Sequence, residues 1–311
     1  MSFLSKTFDE QGHIFLDRNM KFRNFNRCVE TLKHVSYYKI KKFAEPFSKV
    51  IDNEINYNGV YFEDILTRYY RDKNLRMHIL HVLEDIEVAL QTQIAYQLGK
   101  NTAEYGYLKA SNWSDIHNFD RKHIIKVETR IKQRISKQVN KAKENPEVNN
   151  ELMNKLSKGS NQDYPPVWLG VSLLMFGNLV FMLEIMSKKN KEPIANYFNC
   201  SMKELSSYME LLTLVRNICA HNSNLIDVSF ITVPKLRPEW KQFLYEMNPN
   251  NNVYSNKIAL ALVIMKHLMD QINPKHKFKP ILNIFTKLCP DDSSAIFYGF
   301  KDKSSIEKLF S

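Results

Sequence analysis

Three residues with proton-transfer and anion-binding chemistry fall within six positions in the stretch LLTLVRNICAHNSNL, residues 211–225: Arg216, Asn217 and His221. A histidine accepts or donates a proton near neutral pH. An arginine presents a planar fork that matches phosphoryl oxygens. An amide four residues before an imidazole on a helix can touch it and fix its tautomer. Together these groups suit cleavage of RNA without a metal. The ribose 2′-hydroxyl attacks the neighbouring phosphate, the imidazole takes its proton, and the guanidinium steadies the charge that builds on phosphorus. DNA lacks that hydroxyl, so the substrate class is RNA. The bland alternative is an Arg216 paired with an acid and a His221 at a helix C-terminus, where a cation is favoured. Arg-x4-His spacing alone does not exclude it.

The residues need a helix to position them. Ser201 opens a capping box with Glu204, and the apolar spacing predicts a helix to about His221. At about 100° per residue, Leu211, Leu212, Leu214, Val215, Ile218 and Cys219 form the expected buried face. Arg216, Thr213, Asn217, Ala220 and His221 take the other side. Ala220 lies near the middle of that side and leaves room for a ligand or a second helix. Arg216 and His221 lie about 140° apart, too far round one straight helix to meet on one phosphate. Two copies packed antiparallel about a two-fold axis bring both pairs to one cleft, so a homodimer with a composite site is expected.

Further helices are predicted over residues 19–33, 36–48, 61–98, 119–143, 167–186, 193–199, 256–272, 280–288 and 304–310. The 61–98 helix carries an apolar series at Leu75, Ile79, Val82, Leu83, Ile86 and Leu90. On it, Asp72 and Arg76 are expected to form a helix-surface pair or to orient groups near the cleft; Glu84 and Glu87 are placed the same way. The 119–143 helix has one apolar stripe, Ile124, Val127, Ile131, Ile135 and Val139. Its other faces carry Arg121, Lys122, Lys126, Arg130, Arg134 and Lys137, which are candidate RNA contacts. Residues 143–166 read as a mobile connection with a short helical turn, and residues 226–233 as a short strand. The class is all-α.

The chain has 311 residues, with 44 basic and 33 acidic side chains and a net charge of +11. That surplus favours polyanionic partners through counterion release. A compositional bias toward Lys, Asn and Ile gives the same surplus. Only 8 glycines are present, which argues against glycine-rich phosphate loops. Motifs for nucleotide binding, zinc proteases and serine hydrolases are absent. Cys28, Cys200, Cys219 and Cys289 are isolated and read as small hydrophobes in a reducing compartment. His78 and His81, in HILH, read as polar-face residues, so neither a metal nor a cofactor is expected. The N-terminus lacks a secretory h-region. Residues 167–186 are nearly long enough to span a bilayer, but Asn178 and Glu184 favour a buried core helix. A cytoplasmic protein without a membrane span is expected.

The fuller string RNICAHNSNL resembles the Abi-like family of bacterial abortive-infection proteins, of the AbiD and AbiF type, which belongs to the HEPN superfamily. LKHVSYYKIKKFAEPF, YYRDKNLRMHILHVLEDIEVALQTQIAY and PPVWLGVSLLMFGNLV resemble other segments of that family in the same order. The resemblance implies a HEPN-like helical bundle, dimerisation through the motif helices and metal-independent RNA cleavage in phage defence. Arg216, Asn217 and His221 inherit the catalytic roles, and Asn222 a supporting one beside Asp72, Arg76 and Glu87. It further implies a single domain over residues 1–311. Its core spans about 61–101 and 165–273, and its basic helical arm about 116–160. Two positions depart from the pattern: Ser172, where an acid is common, and Asn224, where an arginine is common. Two other functions fit the same residues. One is a non-catalytic protein that holds a structured or small non-coding RNA. The other is a dimeric module that senses a phage protein.

Overall fold

The computed structural model describes residues 5–145, 150–158 and 163–310. The expectations for residues 1–4, 146–149 and 159–162 lie outside the described residues. The rest is all-α, as expected: fourteen helices and two small hairpins. In order, α1 (Phe8–Asp17), α2 (Phe25–Leu32) and α3 (Tyr37–Ala44) precede the hairpin β1 (Lys49–Ile51) and β2 (Glu54–Asn56). The β1–β2 turn places Asp52 and Asn53 at φ 50° and 64°, left-handed values that Asp and Asn tolerate. Then come α4 (Phe62–Thr102), α5 (Arg121–Glu144), α6 (Asn150–Lys158), α7 (Val167–Gly170), α8 (Phe176–Ile185), α9 (Lys188–Tyr197) and α10 (Met202–Ala220). After α10 follow the hairpin β3 (Glu246–Asn248) and β4 (Val253–Tyr254), and α11 (Ile258–Ile272), α12 (Lys279–Leu288), α13 (Asp292–Phe297) and α14 (Lys303–Phe310).

The 41-residue α4 is the axis of the fold. Its predicted apolar series is buried, and the buried arc continues through Phe62, Ile65 and Leu66 at one end and Ile94 and Leu98 at the other. Helices α3, α7, α9, α10, α11 and α12 therefore pack around it. Helix α5 docks its whole stripe, Ile124, Val127, Ile131, Ile135 and Val139, against α8 and the turns beside it. Each such side chain contributes about 1.5–3 kcal/mol of burial.

Two expected elements differ. Residues 167–186 are not one helix: α7 and α8 are separated by Leu174 and Met175 in extended conformation. Polar groups from α4 hold that break open. Gln91 Nε2 donates to the Leu174 carbonyl at 3.1 Å. Glu87, one turn earlier on α4, lies close enough to the Phe176 N–H that begins α8 for that dipole to favour its charged form. No helix among the described residues is long and apolar enough to cross a membrane. The strand expected at 226–233 is irregular chain. Phe230 pairs there through its backbone with Asn256 instead of a neighbouring strand.

Candidate active site

Helix α10 starts as its sequence dictates. The Ser201 hydroxyl accepts from Glu204 N–H at 3.2 Å, and the Glu204 carboxylate accepts from Ser201 N–H at 2.8 Å. Arg237 donates to the same carboxylate at 2.9 Å. Burial alone would raise the Glu204 pKa, but Arg237 and the Ser201 hydrogen bonds prevail and hold it at about 2.

The other end of α10 explains the polar string after the motif arginine. His221 is the C-cap, and Asn222 adopts φ 55°. Ser223 N–H donates to the Ile218 carbonyl at 3.0 Å, and Asn222 N–H to the Cys219 carbonyl at 3.3 Å. This pair of bonds is a Schellman closure. It requires a left-handed residue after the cap, and asparagine is favoured there when glycine is absent. Lys39 on α3 donates to the Asn222 carbonyl. Asn222 thus ends the helix and leaves His221 at its open tip.

The motif residues do face outward. Asn217, Ala220 and His221 are exposed and Arg216 is half-buried. Of the expected buried face, Leu211, Leu212, Val215 and Cys219 are buried and Ile218 half-buried, but Leu214 is 48% exposed. The buried arc also includes Tyr208 and Met209, so its centre is rotated away from Leu214. An apolar side chain therefore stands in the same open strip as Asn217 and His221.

A buried polar network anchors the chain just beyond His221. Asp72 is fully buried and Arg76 only 5% exposed, so they are a core pair rather than a helix-surface one. Arg76 Nε donates to Asp72 at 2.7 Å. The other carboxylate oxygen of Asp72 accepts from the backbone N–H groups of Leu225 and Ile226, at 2.9 and 3.0 Å. Burial pushes the Asp72 carboxyl above its ordinary value, and Arg76 and the two N–H groups offset this only in part. One turn earlier on α4, Arg68 forms a two-pronged pair with Asp227. Its guanidinium lies 5.2–6.0 Å from the ring centres of Phe43, Phe47, Phe297 and Tyr298. Asn224 donates to Asp227 at 2.6 Å, so the residue that departs from the family pattern serves this loop. The other departure, Ser172, is exposed and donates to the Leu169 carbonyl at 2.8 Å. The sequence reading missed Arg68, Asp227 and Lys39. A charged Asp72 in the helical row of Leu75 and Ile79 was the one visible sign of such a network.

Glu87 connects a second element to the site. Burial is the main reason its carboxyl titrates above the usual carboxylate value, and Glu84 adds to the effect; Arg216 and the Phe176 N–H pull it back. Glu87 thus lies within the electrostatic reach of both Arg216 and the start of α8. Helix α8 packs on α10, with Gly177 beside Thr213.

Of the expected RNA contacts, Arg121, Lys122, Lys126, Arg130 and Lys137 are exposed on α5, and Arg134 is half-buried. Arg130 lies over the Phe181 ring of α8 at 4.2 Å, and Arg134 lies against the Gln138 amide. The exposed residues therefore line a basic face on the helix next to α8.

The sequence matches the family described as "Abi-like protein" over residues 30–227. That span holds α4, the Asp72 and Arg68 network, all of α10 and the loop to Asp227. No curated protein and no solved structure matches the chain. With more than half of its length inside the match, the chain belongs to the Abi-like family of abortive-infection proteins.

Proposed function

We propose that the protein is a metal-independent RNA endonuclease of the HEPN type, close to the AbiD and AbiF proteins, that arrests growth in abortive-infection phage defence. One observation supports the reading: Arg216, Asn217 and His221 lie on the last turns of α10, and the chain just beyond them is held by the buried Asp72 carboxylate. His221 is the general base for the ribose 2′-hydroxyl. Arg216 of the second copy in a homodimer, steadied by that copy's Glu87, binds the phosphoryl oxygens. Asn217, one turn before His221, orients the imidazole. The new O–P bond closes a 2′,3′-cyclic phosphate, and the 5′-oxygen leaves with a proton. In a homodimer, an imidazolium from the second copy supplies that proton. The exposed Leu214, two turns before His221 on the same strip, supports such a pairing, since it gives the strip an apolar side chain to bury.

His221→Ala tests this directly. Cleavage and growth arrest should fall at least 10²-fold with Tm unchanged, because a positioned base contributes about 10²–10⁴-fold and the residue is exposed. Wild-type activity should survive EDTA. Cleavage by the variant at the wild-type rate would remove His221 from the role.

The basic face of α5 supports a second reading, RNA retention without cleavage. If Arg121, Lys122, Lys126, Arg130 and Lys137 each hold one phosphate, log K should fall with log salt at a slope of about −3.5 for single strands. A flat salt dependence would count against it.

A further inference from the structure

The α11–α12 connection carries a histidine whose neighbours were invisible in the sequence. His276 comes within reach of two α4 side chains one turn apart, His81 and Asp85. One ligand atom from each of the three lies within 4.8 Å of the others. His276 Nδ1 and Asp85 Oδ2 are 3.8 Å apart, too far for a direct hydrogen bond. His78, the other half of the HILH pair, is not in the group. His81, expected to be a plain polar-face residue, thus has a carboxylate and a second imidazole close by.

We propose that His81, Asp85 and His276 form a binding site for one divalent transition ion of the zinc class. Two imidazoles and one carboxylate are the donor set such ions take, whereas magnesium and calcium prefer all-oxygen sets. Bonds of about 2.0–2.2 Å put the ligands of a tetrahedral ion roughly 3.4 Å apart. The three donors reach that spacing by closing about 0.5–1.5 Å, within the range of side-chain torsions. Three protein ligands leave one position for water. The His276 ring is held from behind: Phe278 meets it edge-on at 4.8 Å, and Phe278 stacks on Phe310 at 5.5 Å. The ion therefore ties the α11–α12 connection, and through Phe278 the last helix, to α4. On α4 the donors point roughly 120–160° away from Glu87, so this site is separate from the proposed RNA-cleaving one.

The test uses untagged full-length protein stripped with chelator. ZnCl2 titrated by calorimetry should bind with one equivalent of high-affinity sites. At a hundredfold excess over Kd, Tm should rise on the order of 5 °C. CoCl2 should give visible d–d absorption. His81→Ala, Asp85→Asn and His276→Gln should each weaken binding at least tenfold and remove the cobalt bands, while His78→Ala should change neither. His81 is exposed, so its loss reads ligation rather than folding. Absence of binding by the wild type, or full binding by His81→Ala, overturns the proposal. RNA cleavage is not the readout, so the result is independent of the proposed function.

Discussion

Asp72→Ala is the sharpest probe of the way α4 holds the motif. The substitution strands Arg76 in the core and leaves the Leu225 and Ile226 N–H groups without their acceptor. Breaking one partner of a buried ion pair costs about 3–5 kcal/mol. Each orphaned N–H carries a further penalty of about 1–3 kcal/mol, reduced wherever the loop relaxes toward water. With an unfolding entropy of about 2.1 cal/mol/K per residue, a loss of 3–5 kcal/mol lowers Tm by about 5–8 °C. Scanning calorimetry measures that shift. Hydrogen exchange in a peptide spanning 222–228 should rise, while the first turns of α10 stay protected. The double variant Asp72→Asn/Arg76→Met separates the two roles. Its amide oxygen still accepts from both N–H groups and no charge is stranded, so it should recover most of the stability. A Tm within about 1 °C of wild type for Asp72→Ala, with exchange unchanged, would refute the reasoning.

Other outcomes follow from single features. Asn222→Ala should cost about 1–2 kcal/mol in urea unfolding, because a Cβ is strained at φ 55°, whereas Asn222→Gly should be nearly neutral. Leu214→Glu should turn a dimer into a monomer by light scattering and abolish cleavage; an unchanged mass would place the interface elsewhere. Glu204 has a folded pKa of about 2 against an ordinary value of 4.5. A depressed acid stabilises above its unfolded pKa, so its contribution should be lost as pH falls from about 5 toward 2. Glu204→Gln should therefore flatten the fall of Tm over that window, and parallel curves for both proteins would exclude the pair as the cause.

Local signals were readable where they were local. The stripes of α4 and α5 and the Ser201–Glu204 box follow from spacing within a few turns, and the motif residues emerge on the exposed side of α10. The break before α8 was not readable, because it depends on Glu87 and Gln91, more than eighty residues earlier in the chain. The helix-wheel estimate misplaced Leu214 because the buried arc follows the position of neighbouring helices, which fix Tyr208 and Met209 inside. Asp72 looked like half of a surface pair, since its backbone partners lie 153 and 154 positions away. His276 became a neighbour of Asp85 only through the turn after α11.

The length of α4 has a consequence for how this chain can vary. At 1.5 Å per residue, its 41 residues form a ruler of about 60 Å. Arg68, Asp72, His81, Asp85, Glu87 and Gln91 are marks on that ruler, read by partners far along the chain. One inserted residue between Arg68 and Gln91 would turn every later mark by about 100° and misalign all of them at once. Substitution can retune any mark alone, whereas changes of length are confined to the stretches before Phe62 and after Thr102.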